Sequence, residues 1–276
     1  MTFLTDTLII DGARIAYRDN GTGEPIVFIH GTPSHSHEWR KVVPQVEKHG
    51  YRTITYDLLG YGLSERPIHD DTSVAAQTKL LERILAELDI NQATIVAHDI
   101  GGAVGLRFAL AHPHCVRRLM LLDTVSYNSW PSETWRQIID NHLNDYLTLT
   151  QEDFNAMLTN QLRMTVEDTH LMSGESLEMY LAPHQSTLGR VSFFEHQVRH
   201  YDSKYTQEIA QQLGAIEVPV HIVWGAKDQW QPVSYAHRLH ADIPNSTLQI
   251  IPRAGHFVME DAPKCVVEQV TKFLDE

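Results

Sequence analysis

The stretch Ala97-His98-Asp99-Ile100-Gly101-Gly102 constrains this chain more than any other. An apolar run, Ala93 to Val96, leads into it, and Ala103, Leu106 and Leu110 follow at helical spacing, which predicts a strand-to-helix turn. Small residues at Ala97 and Gly101 flank one reactive side chain, Asp99. Close packing around such a turn can hold its central residue in a strained conformation, proud of the sheet edge.

The rest of the chain supplies a sheet to carry that turn. Thr7 to Ile10 and Arg14 to Asp19 alternate apolar and polar residues around Asp11-Gly12, which predicts a β-hairpin. Beyond Asn20-Gly21-Thr22-Gly23, the run Pro25 to Ile29 is continuously apolar, as expected of a strand buried on both faces of a parallel sheet. It ends at His30-Gly31-Thr32-Pro33. There Gly31 permits unusual torsions and Pro33 stops the strand, so the Thr32 N–H can turn toward a pocket; an ordinary βα loop is the plainer reading. Trp39, Val42, Val43 and Val46 recur at helical spacing, with Pro44 predicting a kink or a short helix. Tyr51 to Tyr56 reads as a strand running into the glycine-marked loop from Asp57 to Ser64. Leu80, Leu81, Ile84, Leu85 and Leu88 form a helical face, and Val116 to Leu122 makes a further strand closing at Asp123.

From about Val125 to Ala210 the spacing turns helical, as in Trp135, Ile138, Ile139, His142 and Leu143, without a buried strand. This predicts a helical cap, residues 125–210, inserted into a core domain made of residues 1–124 and 211–276. Strand character resumes at Val218 to Trp224, followed by Gly225-Ala226-Lys227-Asp228. Leu248 to Ile251 leads into Arg253-Ala254-Gly255-His256, and Cys265 to Leu274 predicts a closing helix. The succession of strands and helices is that of an α/β protein with a parallel sheet.

Composition narrows the partners. A formal charge of -13 and 22 scattered Lys and Arg residues oppose binding to phosphate backbones, so no nucleic-acid partner is expected. The two cysteines, Cys115 and Cys265, lie far apart and outside any metal-binding spacing, which predicts free, buried thiols. No basic leader opens the chain and no run approaches the roughly 18 apolar residues of a membrane span. The expectation is a soluble, cytoplasmic protein that avoids membranes, a monomer or homodimer taking a small-molecule substrate. The 17 histidines include His35-Ser36-His37 and His112-Pro113-His114, but neither has a known ligand pattern; no metal and no cofactor are expected. His98 should face away from Asp99 and pack locally.

Taken together, His30-Gly31-Thr32-Pro33, Asp57 to Ser64, the Asp99 turn, Gly225-Ala226-Lys227-Asp228 and Gly255-His256 resemble the α/β-hydrolase family over essentially the whole chain. The order nucleophile, acid, histidine is that family's order. The resemblance implies the α/β-hydrolase fold: a mostly parallel central sheet, helices on both faces and an inserted helical cap. Aspartate at the elbow resembles the branch that contains epoxide hydrolases and haloalkane or haloacetate dehalogenases. A carboxylate attacking an acyl carbonyl would give a reactive anhydride, whereas attack on a saturated carbon gives a stable alkyl ester. Hydrolysis of that ester needs a base to activate water. His256 fits this role with Asp228 fixing its tautomer, and Asp123 is the rival acid. The backbone N–H groups of Thr32 and Ile100 are the expected oxyanion donors, worth about 3 kcal/mol each when lost.

The leaving group separates the branches. Dehalogenases typically place Trp directly after the nucleophile, where Ile100 stands here, and many carry Asn where this chain has Thr32. The haloacetate enzymes carry Arg after the nucleophile; here Arg107 lies one helix face later. Trp130, Trp135 and Trp230 remain as indole donors. Epoxide hydrolases protonate the ring oxygen with two cap tyrosines, and the resemblance implies Tyr146 and Tyr201, with Tyr205 a rival to the latter. Leu59 stands where those enzymes commonly carry Arg. The expected activity is therefore an epoxide hydrolase acting on a small apolar epoxide, with Tyr146, Tyr201 and Trp230 contacting substrate. The alternatives are a dehalogenase with the same covalent step, or a receptor or cofactor-free oxygenase in which Asp99 forms no ester.

Overall fold

Eight strands form one sheet: β1 (Asp6–Ile10), β2 (Ala13–Asn20), β3 (Pro25–Ile29), β4 (Arg52–Tyr56), β5 (Ala93–His98), β6 (Val116–Leu122), β7 (Val220–Gly225) and β8 (Ser246–Ile251). The structure is a computed structural model that describes residues 3–67 and 69–275. Across the sheet the order is β1-β2-β4-β3-β5-β6-β7-β8. The β1–β2 and β2–β4 pairings are antiparallel, and every other pairing is parallel. Strands β5 and β7 are buried along their whole length, which is why their sequences are apolar runs rather than alternations.

Helices flank both faces of the sheet. Helix Val74–Glu87 begins where the Ser73 hydroxyl accepts from the Ala76 N–H, and its buried stripe includes Leu81, Ile84 and Leu85. It packs on helix Ile100–Ala111, whose first three-quarters is buried and rich in glycine and alanine, allowing close approach to β5 and β6. Helix Pro263–Asp275 lays Val266, Val270, Phe273 and Leu274 onto the core. The region from Trp39 to Val46 is not one helix. A 3-10 turn, Ser36–Lys41, gives way to a single α-turn, Val43–Val46, because Pro44 cannot donate back into the preceding turn.

Between Leu122 and Val220 the described residues contain no strand. Helices Gln151–Arg163, Gly174–Leu181 and Thr187–Ser192, with several shorter turns, pack around Phe154, Phe193 and Phe194. The ring centroids of Phe154 and Phe193 lie 5.5 Å apart and those of Phe193 and Phe194 5.1 Å apart. Several ties pin this cap to the core, and two places stand out. The Thr165 carbonyl accepts from Phe257 N–H at 2.7 Å, and the Asp261 carboxylate takes both Glu167 N–H (2.9 Å) and Gly255 N–H (2.7 Å). The second place is a buried Glu260, which binds Arg40, Lys41 (2.7 Å) and the Tyr180 hydroxyl (2.6 Å), while Arg40 also reaches Ser176 Oγ at 2.9 Å.

Cys115 and Cys265 are both free, but each is partly exposed rather than buried, because each lies on the outer layer of the sheet domain. Among the described residues, no helix is long and apolar enough to cross a membrane.

Candidate active site

The site lies where β3, β5, β6, β7 and β8 end, under the cap. Asp99 sits between β5 and helix Ile100–Ala111 at φ 51°, ψ -118°, a strained conformation for a residue with a Cβ. Its carbonyl accepts from Gly102 N–H (3.0 Å) and Val125 N–H (3.2 Å), and its own N–H donates to Leu122 O at 3.1 Å. These bonds hold the turn. A Cβ at Gly101 would come within 2.6 Å of the His30 carbonyl, and one at Gly31 within 2.5 Å of the Asp99 Cβ. Gly31 is therefore needed for close approach to the aspartate; its φ lies outside the left-handed region that glycine favours.

Two groups meet the Asp99 carboxylate. Thr32 N–H donates to Oδ1 at 2.8 Å, and His256 Nε2 lies 3.4 Å from Oδ2. The Ile100 N–H is the first of the helix amides that lack an intrahelical acceptor, beside the same carboxylate. His30 braces the Thr32 loop in one tautomer: Leu58 N–H donates to its Nε2 at 2.9 Å, so Nδ1 donates to Gly31 O at 2.8 Å. Burial pushes the His30 imidazole below its ordinary pKa, against the pull of Asp57 and Glu38, which favours the neutral form.

On the other side of His256, Nδ1 donates to Asp228 Oδ2 at 2.8 Å. Asp228 Oδ1 accepts from Trp230 N–H (2.7 Å) and Gln231 N–H (2.9 Å), so a tight turn fixes the acid. Burial opposes ionisation of both partners in the Asp99–His256 contact, yet their mutual attraction prevails. Asp99 is held below the usual carboxylate range by His256, His98 and the Thr32 N–H, and His256 well above the usual imidazole value by Asp228 and Asp99. Asp123 does not make the direct bond to His256. Its Oδ1 accepts from Gly225 N–H at 2.8 Å, and it lies behind Asp228.

The cavity over Asp99 is small, about 40 Å³. The core contributes Thr32, Pro33, Asp99, Trp230, Gln231 and His256; the cap contributes Ser129, Trp130, Ser132, Trp135, Gln161, Thr165 and Tyr201. The Tyr201 hydroxyl is 2.5 Å from Thr32 Oγ1, with its ring against Trp130 (4.5 Å between centroids) and Trp135 (6.0 Å). Burial, then the neighbouring Tyr61, pushes the Tyr201 phenol well above its ordinary value. The indole N–H of Trp230 is buried without an acceptor.

Tyr146 is the correction. It lies half-buried on the cap, edge-on against Phe194 (5.9 Å), and does not line the cavity, so the pair Tyr146 and Tyr201 is not assembled. Period and position in the cap gave no means to tell which face of its helix turns inward. Tyr205 is also elsewhere, beneath Lys204 (4.7 Å) and Arg107 (5.9 Å). Arg107 itself binds Tyr205 O at 2.8 Å and Glu208, away from the cavity. His98 faces away from Asp99 but is more than local packing. Its Nε2 donates to the His256 carbonyl at 3.0 Å, and Nδ1 lies 3.2 Å from the buried Glu38 carboxylate. Gln231, Gln161, Ser129, Ser132 and Thr165 line the cavity without any sequence signal beyond their polarity, although Gln231 follows directly on the Asp228-Gln229-Trp230 turn.

Among the described residues, neither histidine cluster brings three ligand atoms together. His35 Nε2 bonds the Met179 carbonyl at 3.1 Å, and burial lowers His37 to about 3, with Arg40 adding to it. Among the described residues the ligand atoms that converge are those of Asp123, Asp228 and His256, within 4.8 Å. The 2.8 Å separation of His256 Nδ1 and Asp228 Oδ2 is a hydrogen bond, which a cation between them would break.

The α/β hydrolase fold family model matches residues 24–263, and the chain belongs to that family. It is a hydrolase of the α/β fold. An α/β hydrolase fold protein from Burkholderia ambifaria superposes with a TM-score of 0.90 at 32% identity, covering 99% of this chain and 98% of that one. An uncharacterised hydrolase of Bacillus subtilis, YugF, is 29% identical over 96% of both chains. Haloalkane dehalogenase 2 of Mycobacterium tuberculosis is 27% identical, covering 91% of this chain and 87% of its own length.

Proposed function

We propose that the protein hydrolyses a small, uncharged epoxide through an ester to Asp99. The observation that carries this reading is the Asp99 carboxylate held between Thr32 N–H and His256 Nε2, with the Tyr201 hydroxyl in the same cavity. Oδ1 already occupies the backbone donor, so Oδ2 is the attacking atom. It displaces a ring C–O bond, and the ring oxygen takes the proton of Tyr201. That acid is needed because an alkoxide is a poor leaving group, and a phenol kept protonated by burial gives up its proton only as the alkoxide forms.

Alkylation removes the Asp99 charge. His256 then keeps only one of the two carboxylates that raise its pKa, so ester formation lets the imidazolium release its proton to solvent and leaves a neutral imidazole able to take one from water. Hydroxide adds to the Asp99 carbonyl carbon, and the oxyanion forms at Oδ1 against Thr32 N–H and Ile100 N–H. Collapse releases the diol as His256 returns its proton to the departing oxygen. The proton left on the regenerated carboxyl group restores Tyr201.

Among the described residues no Lys or Arg lines the cavity, which favours an uncharged substrate over a haloacetate beside Asp99. Haloalkane hydrolysis is the second reading. It is supported by the buried, unpartnered Trp230 indole N–H and by the relative named as a haloalkane dehalogenase.

Mass spectrometry of His256→Gln mixed with epoxide and haloalkane panels tests both. Hydrolysis stalls in this variant, so an adduct on the Asp99 peptide identifies the electrophile; epoxides are expected to leave it. Adducts from haloalkanes alone would favour the second reading, and none from either panel would point to a non-covalent receptor or oxygenase.

A further inference from the structure

Behind His256, on the side away from the cavity, two buried carboxyl groups face each other. Asp123 closes β6 and Asp228 follows β7, its neighbour in the sheet. Both side chains are buried, and one oxygen of each lies with a His256 nitrogen inside a 4.8 Å group. Two carboxylates this close and this buried resist being ionised together. Their donors decide which one keeps the charge. Asp228 accepts three: Trp230 N–H, Gln231 N–H and His256 Nδ1–H. Asp123 accepts one, from Gly225 N–H to Oδ1, and no donor reaches its buried Oδ2. An oxygen buried against another carboxylate without a donor is accounted for when it carries the proton itself.

We infer that Asp123 is a neutral carboxylic acid whose Oδ2–H donates to Asp228, a positioning residue that moderates the relay and stands in reserve as its acid. Burial, then the Asp228 charge, pushes the Asp123 carboxyl well above the usual carboxylate range, and His256 and the Gly225 N–H oppose this. Asp228 and His256 are the titratable groups that face it. The donated proton spreads the charge of Asp228 and weakens its hold on the His256 proton, leaving the imidazole easier to deprotonate for water activation. When Asp228 loses its charge, the second cause of the neutrality of Asp123, after burial, goes with it, and the charge on His256 favours ionisation. Asp123 then ionises and becomes the carboxylate beside His256.

The catalytic half of this inference rests on His256 acting as the base; the proton on Asp123 does not. Infrared spectra of the wild-type protein and Asp123→Asn at neutral pH should differ by the C=O stretch of a neutral carboxylic acid that shifts in heavy water. Absence of that band, or its persistence in the variant, overturns the assignment. In single-turnover hydrolysis of the ester, Asp123→Leu should move the rising limb of the pH profile upward by roughly one pH unit, and Asp123→Asn, whose amide still donates, should restore it. Asp228→Asn should lose roughly 10²-fold in hydrolysis rate and the double variant Asp123→Asn, Asp228→Asn roughly 10⁴-fold, the latter being the usual loss when the orienting acid is gone. A double variant no slower than Asp228→Asn removes the reserve role. If no substrate turns over, the reaction reading fails while the infrared band still decides the proton.

Discussion

The floor and the roof of the cavity are built from different chemistry. The floor, from the sheet domain, holds both titratable groups of the relay that reach the cavity, Asp99 and His256. The roof, from the cap, offers indoles, hydroxyls and an amide, with Tyr201 its one ionisable contact. Asp99 and the Asp228 that holds His256 are fixed by backbone bonds beyond strand ends, whereas the aromatic groups of the roof, Trp130, Trp135 and Tyr201, pack ring on ring. A charged nucleophile must be placed to within a fraction of an ångström, which rigid strand ends provide. Shape selection tolerates the softer positioning of a helical layer. On the proposed reading the reaction belongs to the floor, and the leaving group is chosen between Tyr201 of the roof, the acid for a ring oxygen, and Trp230 of the floor, the donor for a halide.

The sharpest way to break this division is Asp99→Ala. Turnover of every substrate should fall by about 10⁴-fold or more, with the fold intact by circular dichroism; preserved turnover of any one substrate would mean the floor does not own the chemistry. Tyr201→Phe should act selectively. Epoxide turnover is expected to drop by roughly 10² to 10³-fold in kcat, while haloalkane hydrolysis stays near its starting value, and equal losses for both would reject Tyr201 as a ring-oxygen acid.

The seam between floor and roof is tested by Glu260→Gln. Removing this charge strands Arg40 and Lys41 and weakens the tie to Tyr180, and stability should fall by about 3 kcal/mol in denaturant titration. Protection from hydrogen exchange should be lost first in helix Gly174–Leu181; uniform loss over the sheet would show that the cap is no separate layer.

The smallest effect is expected from acid. Burial lowers the cap residue His184 to about 3 from its ordinary 6.5. Between those values the unfolded chain binds a proton that the folded chain does not, so the stabilisation is complete above 6.5 and is lost as pH falls toward 3. Exchange in the cap should therefore rise as pH is lowered, and His184→Phe should flatten that rise while leaving the sheet, where His30 and His37 are lowered too, unchanged; cap exchange that ignores the substitution would break the link.

Much of the floor was legible in the sequence because it depends on local rules. The apolar run at Pro25 to Ile29 coincides with β3 and that at Leu119 to Leu122 with the buried end of β6, since a strand buried on both faces admits few other side chains. Asp99 stood out because a reactive residue between small ones at a strand-to-helix junction has a restricted set of conformations. The use of Gly31 was less legible. Torsional freedom was its expected role, but what matters is the missing Cβ against Asp99, a contact across 68 positions of sequence that no local pattern encodes.

The roof was hardly legible at all. Tyr146, Tyr201 and Tyr205 are alike in sequence context, and only the fold of the cap sends Tyr201 to Thr32, Tyr146 to Phe194 and Tyr205 to Arg107. The order of strands, the elbow and the residue at its tip were written in the chain, because backbone geometry and burial act on neighbours. Which acid bonds His256, which carboxyl lies buried beside it and which aromatic rings line the cavity were decided only by tertiary structure, because those outcomes turn on desolvation and on distances between segments far apart in sequence.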